Sequence, residues 1–98
     1  ILPLDAARAA RWRLWLAFWG RAIGSDELAS LQREHQRELV ASLDAALRRR
    51  SDAHGRPVSV DPRRLVALLD GVAVQAVFAP DEWPPDQQLA QFDDLLSG

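Results

Sequence analysis

The sequence predicts an all-α domain made of four helices. Apolar residues recur at spacings of three and four, as they do along one face of a helix. Proline, glycine and acidic residues divide the chain into four such segments. No stretch of useful length alternates apolar and polar residues as a half-buried strand would. A chain of 98 residues is long enough for one domain and too short for two.

The first helix is predicted from about Asp5 to about Ile23. Asp5 can cap it, and the alanines that follow favour helix formation. Large apolar side chains then surround most of its circumference, so we expect this helix to be almost fully buried. Gly24 is expected to end it. The apolar residues are Trp12, Leu14, Trp15, Leu16, Phe18, Trp19 and Ile23.

The second helix is predicted to begin at Ser25 or Asp26 and to run to about Arg50. Its apolar residues form a single stripe while its other faces are charged, so we expect it to be half exposed. The stripe consists of Leu28, Leu31, His35, Leu39, Leu43 and Leu47. Residues 51–59 are polar and contain glycine and proline, which predicts a loop.

The third helix is apolar at almost every position. Asp61 and Pro62 form a typical start, and the helix is expected to end near Ala79. Between residues 65 and 79 only Asp70 and Gln75 are polar. A helix without a solvent face must be covered on all sides, and this one is too short to span a membrane. We therefore expect its own domain to cover one side and a second subunit to cover the other.

The fourth helix is predicted to open at Pro84 and Pro85 and to end at Gly98. One face carries its apolar residues, which are Leu89, Phe92, Leu95 and Leu96.

Composition excludes several classes of function. The net charge of −2 provides no electrostatic basis for nucleic-acid binding by this segment itself. The absence of cysteine excludes disulfides, zinc thiolate sites and a thiol nucleophile. A small domain without disulfides is more typical of the cytoplasm, and the apolar start of the chain is too short for a signal peptide. Because the chain contains no methionine, we expect it to be part of a longer protein.

Three tryptophans suggest a binding site. Trp12, Trp15 and Trp19 share one helix face and could line a cavity for a flat or cationic organic ligand. His35 could add a polar contact to such a cavity. The alternative is that the indoles are large core residues and that His35 is a core residue with a hydrogen-bond partner.

Asp70 permits two interpretations. A buried carboxylate must be paired or hydrogen-bonded. We expect it to make a structural contact within the subunit or across a dimer. Orientation of a ligand is the alternative.

The sequence does not predict an enzyme, a metal site or a cofactor. Glu34, His35 and Glu38 lie on one helix, but a two-metal carboxylate site needs matching ligands from other helices. Neither a glycine-rich phosphate loop nor a serine-elbow motif is found. A metal carrier built on these three side chains is a third hypothesis, which metal analysis of the purified protein would test.

Three stretches carry a resemblance to a known family. They are WRLWLAFW at 12–19, followed by Ala22 and an acidic-leucine start at 26–28; REHQR at 33–37, followed by the leucine stripe; and LLDGVAVQA at 68–76, followed by Pro80. With this order and spacing, the chain resembles the C-terminal ligand-binding and dimerisation domain of TetR-family transcriptional regulators, closest to the betaine-operon-repressor branch.

The resemblance implies a bacterial transcriptional repressor, of which residues 1–98 are the regulatory and dimerisation domain. An N-terminal helix-turn-helix domain, absent from this chain, would contact operator DNA. The last two helices of each subunit would form a four-helix bundle across a homodimer, and a small organic effector would bind between the first three helices. No membrane partner is implied. The alternative is a purely structural helical dimerisation module without an effector.

The expected site residues form two sets. The ligand-binding set is Trp12, Trp15, Trp19, Leu31, His35 and Phe78. The dimer-interface set is Leu69, Val72, Ala73, Ala76, Val77, Leu89, Phe92 and Leu96.

Overall fold

The predicted all-α class is confirmed. A computed structural model describes residues 1–55 and 60–97, and within these ranges the chain forms four helices and no strand. The helices are α1 (Ala6–Ala22), α2 (Asp26–His54), α3 (Pro62–Phe78) and α4 (Pro85–Ser97).

Helix α1 begins where the sequence predicts and ends slightly earlier. The Asp5 carboxylate accepts a hydrogen bond of 2.8 Å from the backbone N–H of Arg8, which caps the helix. At the other end, the N–H groups of Gly24 and Ser25 donate to carbonyls three residues back, at 3.2 Å each. This tight turn ends α1 at Ala22, and Gly24 does not adopt a left-handed conformation.

Helix α2 is longer than predicted. It continues to His54 instead of ending near Arg50, so the first part of the expected loop is helical. Residues 51–53 contain nothing that breaks a helix. Gly55 is the next residue that adopts a positive φ without strain, and its φ of 65° forms the left-handed cap. The rest of the expected loop, residues 56–59, lies outside the described residues.

The starts of α3 and α4 agree with the proline and aspartate signals. The Asp61 side chain accepts a hydrogen bond of 2.9 Å from the N–H of Arg63, and Pro62 occupies the first turn of α3. Helix α3 ends at Phe78, just before the predicted stop. Helix α4 begins at Pro85; its predicted end at Gly98 lies outside the described residues.

The core lies between α1 and α3 and is closed by the N-terminal segment, residues 1–5. Helices α1, α2 and α3 pack on one another, whereas α4 packs on α3 alone among the helices. The buried residues of the central cluster are Leu2, Trp12, Leu69, Val72 and Ala73.

A buried glutamine attaches the N-terminal segment to α4. Gln88 is only 2% exposed, and its side-chain amide donates to the carbonyls of Pro3 at 3.3 Å and Trp83 at 2.9 Å. The fourth helix therefore has a second attachment besides α3.

The domain is flat. Its principal extents are 44 × 34 × 18 Å, and its radius of gyration is 14.8 Å. A compact domain of this length would have a radius of about 12.6 Å. In the part of the chain that the structure describes, no large side chain is less than 2% exposed. The chain by itself therefore has a thin core.

The expectation that α1 is almost fully buried is wrong for the single chain. Only Trp12 and Ala22 are buried on this helix, and Leu14 and Ile23 are largely exposed. The physical reason is that α1 lies at the edge of a thin domain, where α2 and α3 cover only one side of it.

Helix α3 is covered on one side and open on the other. Its buried residues are Leu65, Val66, Leu69, Val72, Ala73 and Ala76. Beyond the first turn, where Arg63 and Arg64 are exposed, the exposed positions are Ala67, Gly71, Gln75 and Phe78, which recur at helical spacing and form one face. We call these four residues the open face of α3. A side chain at Gly71 would meet no atom within 4 Å, so this face is accessible to another helix.

Candidate functional site

A cavity of about 290 Å³ lies between the first three helices. Trp12, Trp15 and Trp19 line it from α1, and Gln32 and His35 line it from α2. Leu69 and Asp70 contribute from α3. The volume is close to the lower end of the range for small-molecule sites, about 300–1,000 Å³.

The structure brings most of the expected ligand-binding set together. The three tryptophans and His35 line this cavity, whereas Leu31 and Phe78 do not. Leu31 is 53% exposed because α2 presents Gln32, Gln36 and Leu39 to the cavity, a face rotated slightly from the leucine stripe. Phe78 belongs to the open face of α3.

Most of the expected dimer-interface set lies inside the chain's own fold. Leu69, Val72, Ala73 and Ala76 are buried within the single chain. Val77 and Phe92 are partly buried against the core, and Leu96 is partly buried. Of this set, Leu89 alone is exposed. Periodicity cannot show which side of an all-apolar helix faces its own domain, and the structure shows that the free side is the open face of α3.

Trp12 is both a core residue and a wall of the cavity. Its indole N–H donates to the carbonyl of Ile1 at 2.6 Å, and its ring meets that of Trp19 edge to face at 5.8 Å. This geometry agrees with the expectation of a hydrogen-bonded core indole.

Trp15 and His35 form a stacked pair between α1 and α2. Their ring centroids are 4.8 Å apart, and the rings are inclined by 23°. The rings of Phe18 and Trp15 meet at a centroid distance of 5.9 Å in a T-shaped arrangement. These contacts fix the orientation of Trp15 and His35, which both line the cavity.

Two side chains at the cavity carry polar atoms without partners. The Trp19 Nε1 and both polar atoms of the Gln32 amide are buried and make no hydrogen bond. Both residues also line an adjoining cavity of about 370 Å³. Gln32 lies outside the apolar stripe of α2, so the sequence analysis did not predict it as a site residue. The signal that could have identified it is the spacing of Gln32, Gln36 and Leu39, which share one helix face.

Asp70 lies where the cavities meet. It lines both of them, and the side chain of Gln36 hydrogen-bonds to its carboxylate. Burial raises the pKa of Asp70, an effect that the Gln36 hydrogen bond and the nearby His35 partly oppose. Asp70 thus has a partner within its own subunit and also faces the cavity.

An Asp70→Asn substitution should stabilise the protein at neutral pH. Because the folded-state pKa is raised, the folded state binds the Asp70 proton more tightly than the unfolded state does. Ionisation therefore lowers stability as pH rises above the unfolded value of about 3.9. Asparagine cannot ionise and can still accept from Gln36. We expect its melting temperature to exceed that of the wild type at pH 7, with the gain shrinking as pH falls toward 4.

Thermal unfolding between pH 4 and pH 8 measures this difference. Asp81→Asn, at an exposed position in the α3–α4 turn, is the matched control and should change little. An Asp70→Asn protein that melts below the wild type at pH 7 would contradict the effect of burial.

No other feature of the described residues is a stronger candidate for a functional site. A space of about 760 Å³ between α2 and α3 has no aromatic lining. Within residues 1–55 and 60–97, no group of three or more histidine or acidic side chains is placed to hold a metal ion. None of the described helices combines the length and apolarity needed to cross a membrane.

Comparison with known proteins identifies the family. No curated protein and no solved structure matches the chain. A family model described as the C-terminal domain of BetI-type transcriptional repressors matches residues 1–98. This family consists of transcriptional regulator domains and is not an enzyme class. With the match extending over the whole length, the chain belongs to the family of BetI-type transcriptional repressor C-terminal domains, within the TetR regulators.

Proposed function

We propose that this chain is the effector-binding and dimerisation domain of a bacterial repressor. The single observation that carries the proposal is the cavity between α1, α2 and α3, walled by three indoles and His35, in a chain of this family. Operator DNA would be contacted by a domain N-terminal to this one, since the net charge of −2 does not favour DNA binding here.

The chemistry of the cavity suits a small organic effector. Its walls are mainly aromatic and aliphatic, and polar or charged groups come from Arg8, Arg11, Gln32, Gln36 and Asp70. This combination is typical of small-molecule sites, in which apolar area supplies affinity and a few polar groups orient the ligand.

The surface of the chain supports a dimer. The accessible surface is 6879 Å², whereas a monomer of this mass has about 5,600 Å². The excess of about 1,300 Å² is larger than the roughly 800 Å² that each partner buries in a standard interface. The open face of α3 and the exposed Leu89 of α4 place apolar surface on the two helices proposed to form the bundle.

Helix α3 physically links the proposed ligand binding to the proposed dimerisation. Leu69 and Asp70 face the cavity, whereas the adjacent Gly71 belongs to the open face. A ligand that shifts α3 would therefore change the geometry of the dimer. An effector acts in this way when it binds one arrangement of the subunits more tightly than the other.

Ligand titration tests the effector proposal. Aromatic and cationic metabolites should be screened by their effect on tryptophan fluorescence, because the three cavity indoles would report binding directly. Trp15→Phe should reduce the signal of a compound that binds at this wall. If no compound changes either the fluorescence or the melting temperature, the domain is a dimerisation module without an effector.

Light scattering at micromolar concentration tests the dimer proposal. We expect twice the mass of the 10.9 kDa chain. A folded monomer at that concentration would contradict dimerisation.

A further inference from the structure

We propose that the cavity between α1, α2 and α3 takes an aromatic carboxylic acid, whose ring lies against the indoles and whose carboxylate lies beside Arg8 and Arg11. This inference rests on the proposed effector-binding function and specifies the chemical class of the effector. The observation behind it is the charge of the lining, to which Arg8 and Arg11 contribute two positive charges and Asp70 contributes one negative charge at most.

Arg8 and Arg11 are one helical turn apart on α1, and we call them the arginine pair. Side chains at this spacing are neighbours on a helix surface, with Cβ atoms about 5–6 Å apart. Both arginines line the cavity and both are exposed, so they lie at its edge. Trp12 and Leu69 are each 7% exposed and form its inner wall. A ligand can therefore place a ring against the inner wall and keep a polar end beside the arginine pair.

The arginine pair has hydrogen-bond donors available for a ligand. Arg8 approaches the exposed Asp5 carboxylate through its Nε at 3.7 Å, and an exposed pair of this kind contributes little stability. Among the described residues, Arg11 forms no salt bridge. A guanidinium group has five N–H donors in a planar arrangement that matches a carboxylate, so either arginine can bind one.

Asp70 lies toward the other end of the cavity. It also lines the adjoining cavity of about 370 Å³, together with Trp19 and Arg33, whereas the arginine pair does not. Trp19 follows Arg11 by eight residues, about 12 Å along α1. We therefore expect the carboxylate of a ligand at the arginine pair to be separated from Asp70, where Arg33 offsets part of the negative charge.

A cationic or neutral aromatic ligand fits this charge pattern less well. A cation could lie over an indole face or beside Asp70, but the arginine pair would repel it. A neutral aromatic ligand would gain the apolar contacts alone. An acid gains these contacts together with hydrogen bonds between charged groups, which are about twice as strong as neutral ones.

Three bicyclic probes of similar shape test the inference by calorimetric titration at pH 7. They are 2-naphthoate, an anion; 2-naphthylmethanol, which is neutral; and N-methylquinolinium, a cation. At low ionic strength we expect 2-naphthoate to bind at least about tenfold more tightly than each of the others, since one charge-assisted hydrogen bond contributes about that factor. Salt at about 1 M should reduce this advantage, because it screens exposed charges.

Two variants connect the selectivity to the arginine pair. We expect the affinity for 2-naphthoate to fall about tenfold in Arg11→Gln, while the affinity for 2-naphthylmethanol changes less than about twofold. Arg8→Gln should act in the same direction by a smaller factor, because Arg8 already contacts Asp5. Arg13→Gln is the matched control, since Arg13 is also exposed on α1 but lines none of the cavities described above. It should bind 2-naphthoate as the wild type does.

The remaining outcomes separate this inference from the proposed function. Tighter binding of N-methylquinolinium than of 2-naphthoate would overturn the acid class while supporting an effector site. Equal affinity for 2-naphthoate and 2-naphthylmethanol would also overturn the acid class. So would an equal loss of 2-naphthoate affinity in Arg11→Gln and Arg13→Gln, which would indicate an effect of net charge alone. If none of the three probes binds, the acid class is overturned, and the wider metabolite screen still decides whether the cavity is an effector site.

Discussion

A Phe78→Asp substitution is expected to convert the proposed dimer into a monomer at micromolar concentration. Phe78 is 80% exposed in the single chain and lies on the open face of α3. In a two-fold bundle of α3 and α4 it would be buried, and aromatic residues of this kind contribute most to interface affinity. Placing an unpaired carboxylate there would cost at least about 2 kcal/mol for each subunit.

Sedimentation velocity over a range of concentrations measures this change. Leu14→Asp is the matched control, because Leu14 is similarly exposed, at 74%, but lies on α1 away from the open face. The control should remain dimeric and folded. If Leu14→Asp dissociates the dimer and Phe78→Asp does not, the interface lies on α1, and the bundle arrangement is wrong.

A Trp12→Ala substitution is expected to destabilise the fold by about 3–5 kcal/mol. Trp12 is 7% exposed, lies in the central cluster with Val72 and Ala73, and holds the carbonyl of Ile1. Alanine would leave a large void, which the thin core has few side chains to fill.

Urea unfolding at one fixed protein concentration measures the loss, since dimer stability depends on concentration. Trp12→Phe keeps most of the packing and should cost less. Trp15→Ala, on the same face but more exposed, should cost about 1 kcal/mol through its lost stacking on His35. Equal losses for Trp12→Ala and Trp15→Ala would contradict a core centred on Trp12.

The secondary structure could be predicted because its signals are local. The aspartate and serine caps at Asp5, Ser25 and Asp61 all accept the hydrogen bonds expected of them. The end of α2 was placed too early because polar residues after Arg50 suggested a loop. Polarity alone does not end a helix, and α2 continues to Gly55, which forms a left-handed cap.

The candidate site could be predicted only in part. The spacing of Trp12, Trp15 and Trp19 predicted one shared helix face, and all three line one cavity. The depth of each side chain depends on tertiary packing, and packing leaves Phe78 exposed and presents Gln32 to the cavity. Nothing in the local pattern of α4 indicated that Gln88 would be buried.

The attachment between Gln88 and Pro3 has a kinetic consequence. These residues are 85 positions apart in the chain, so their contact closes one of the longest loops available to the fold. Long loops cost entropy before their contacts form, and they slow an otherwise fast helical protein. During synthesis, Leu2 and the surface around it stay uncovered by α4 until that helix has been translated.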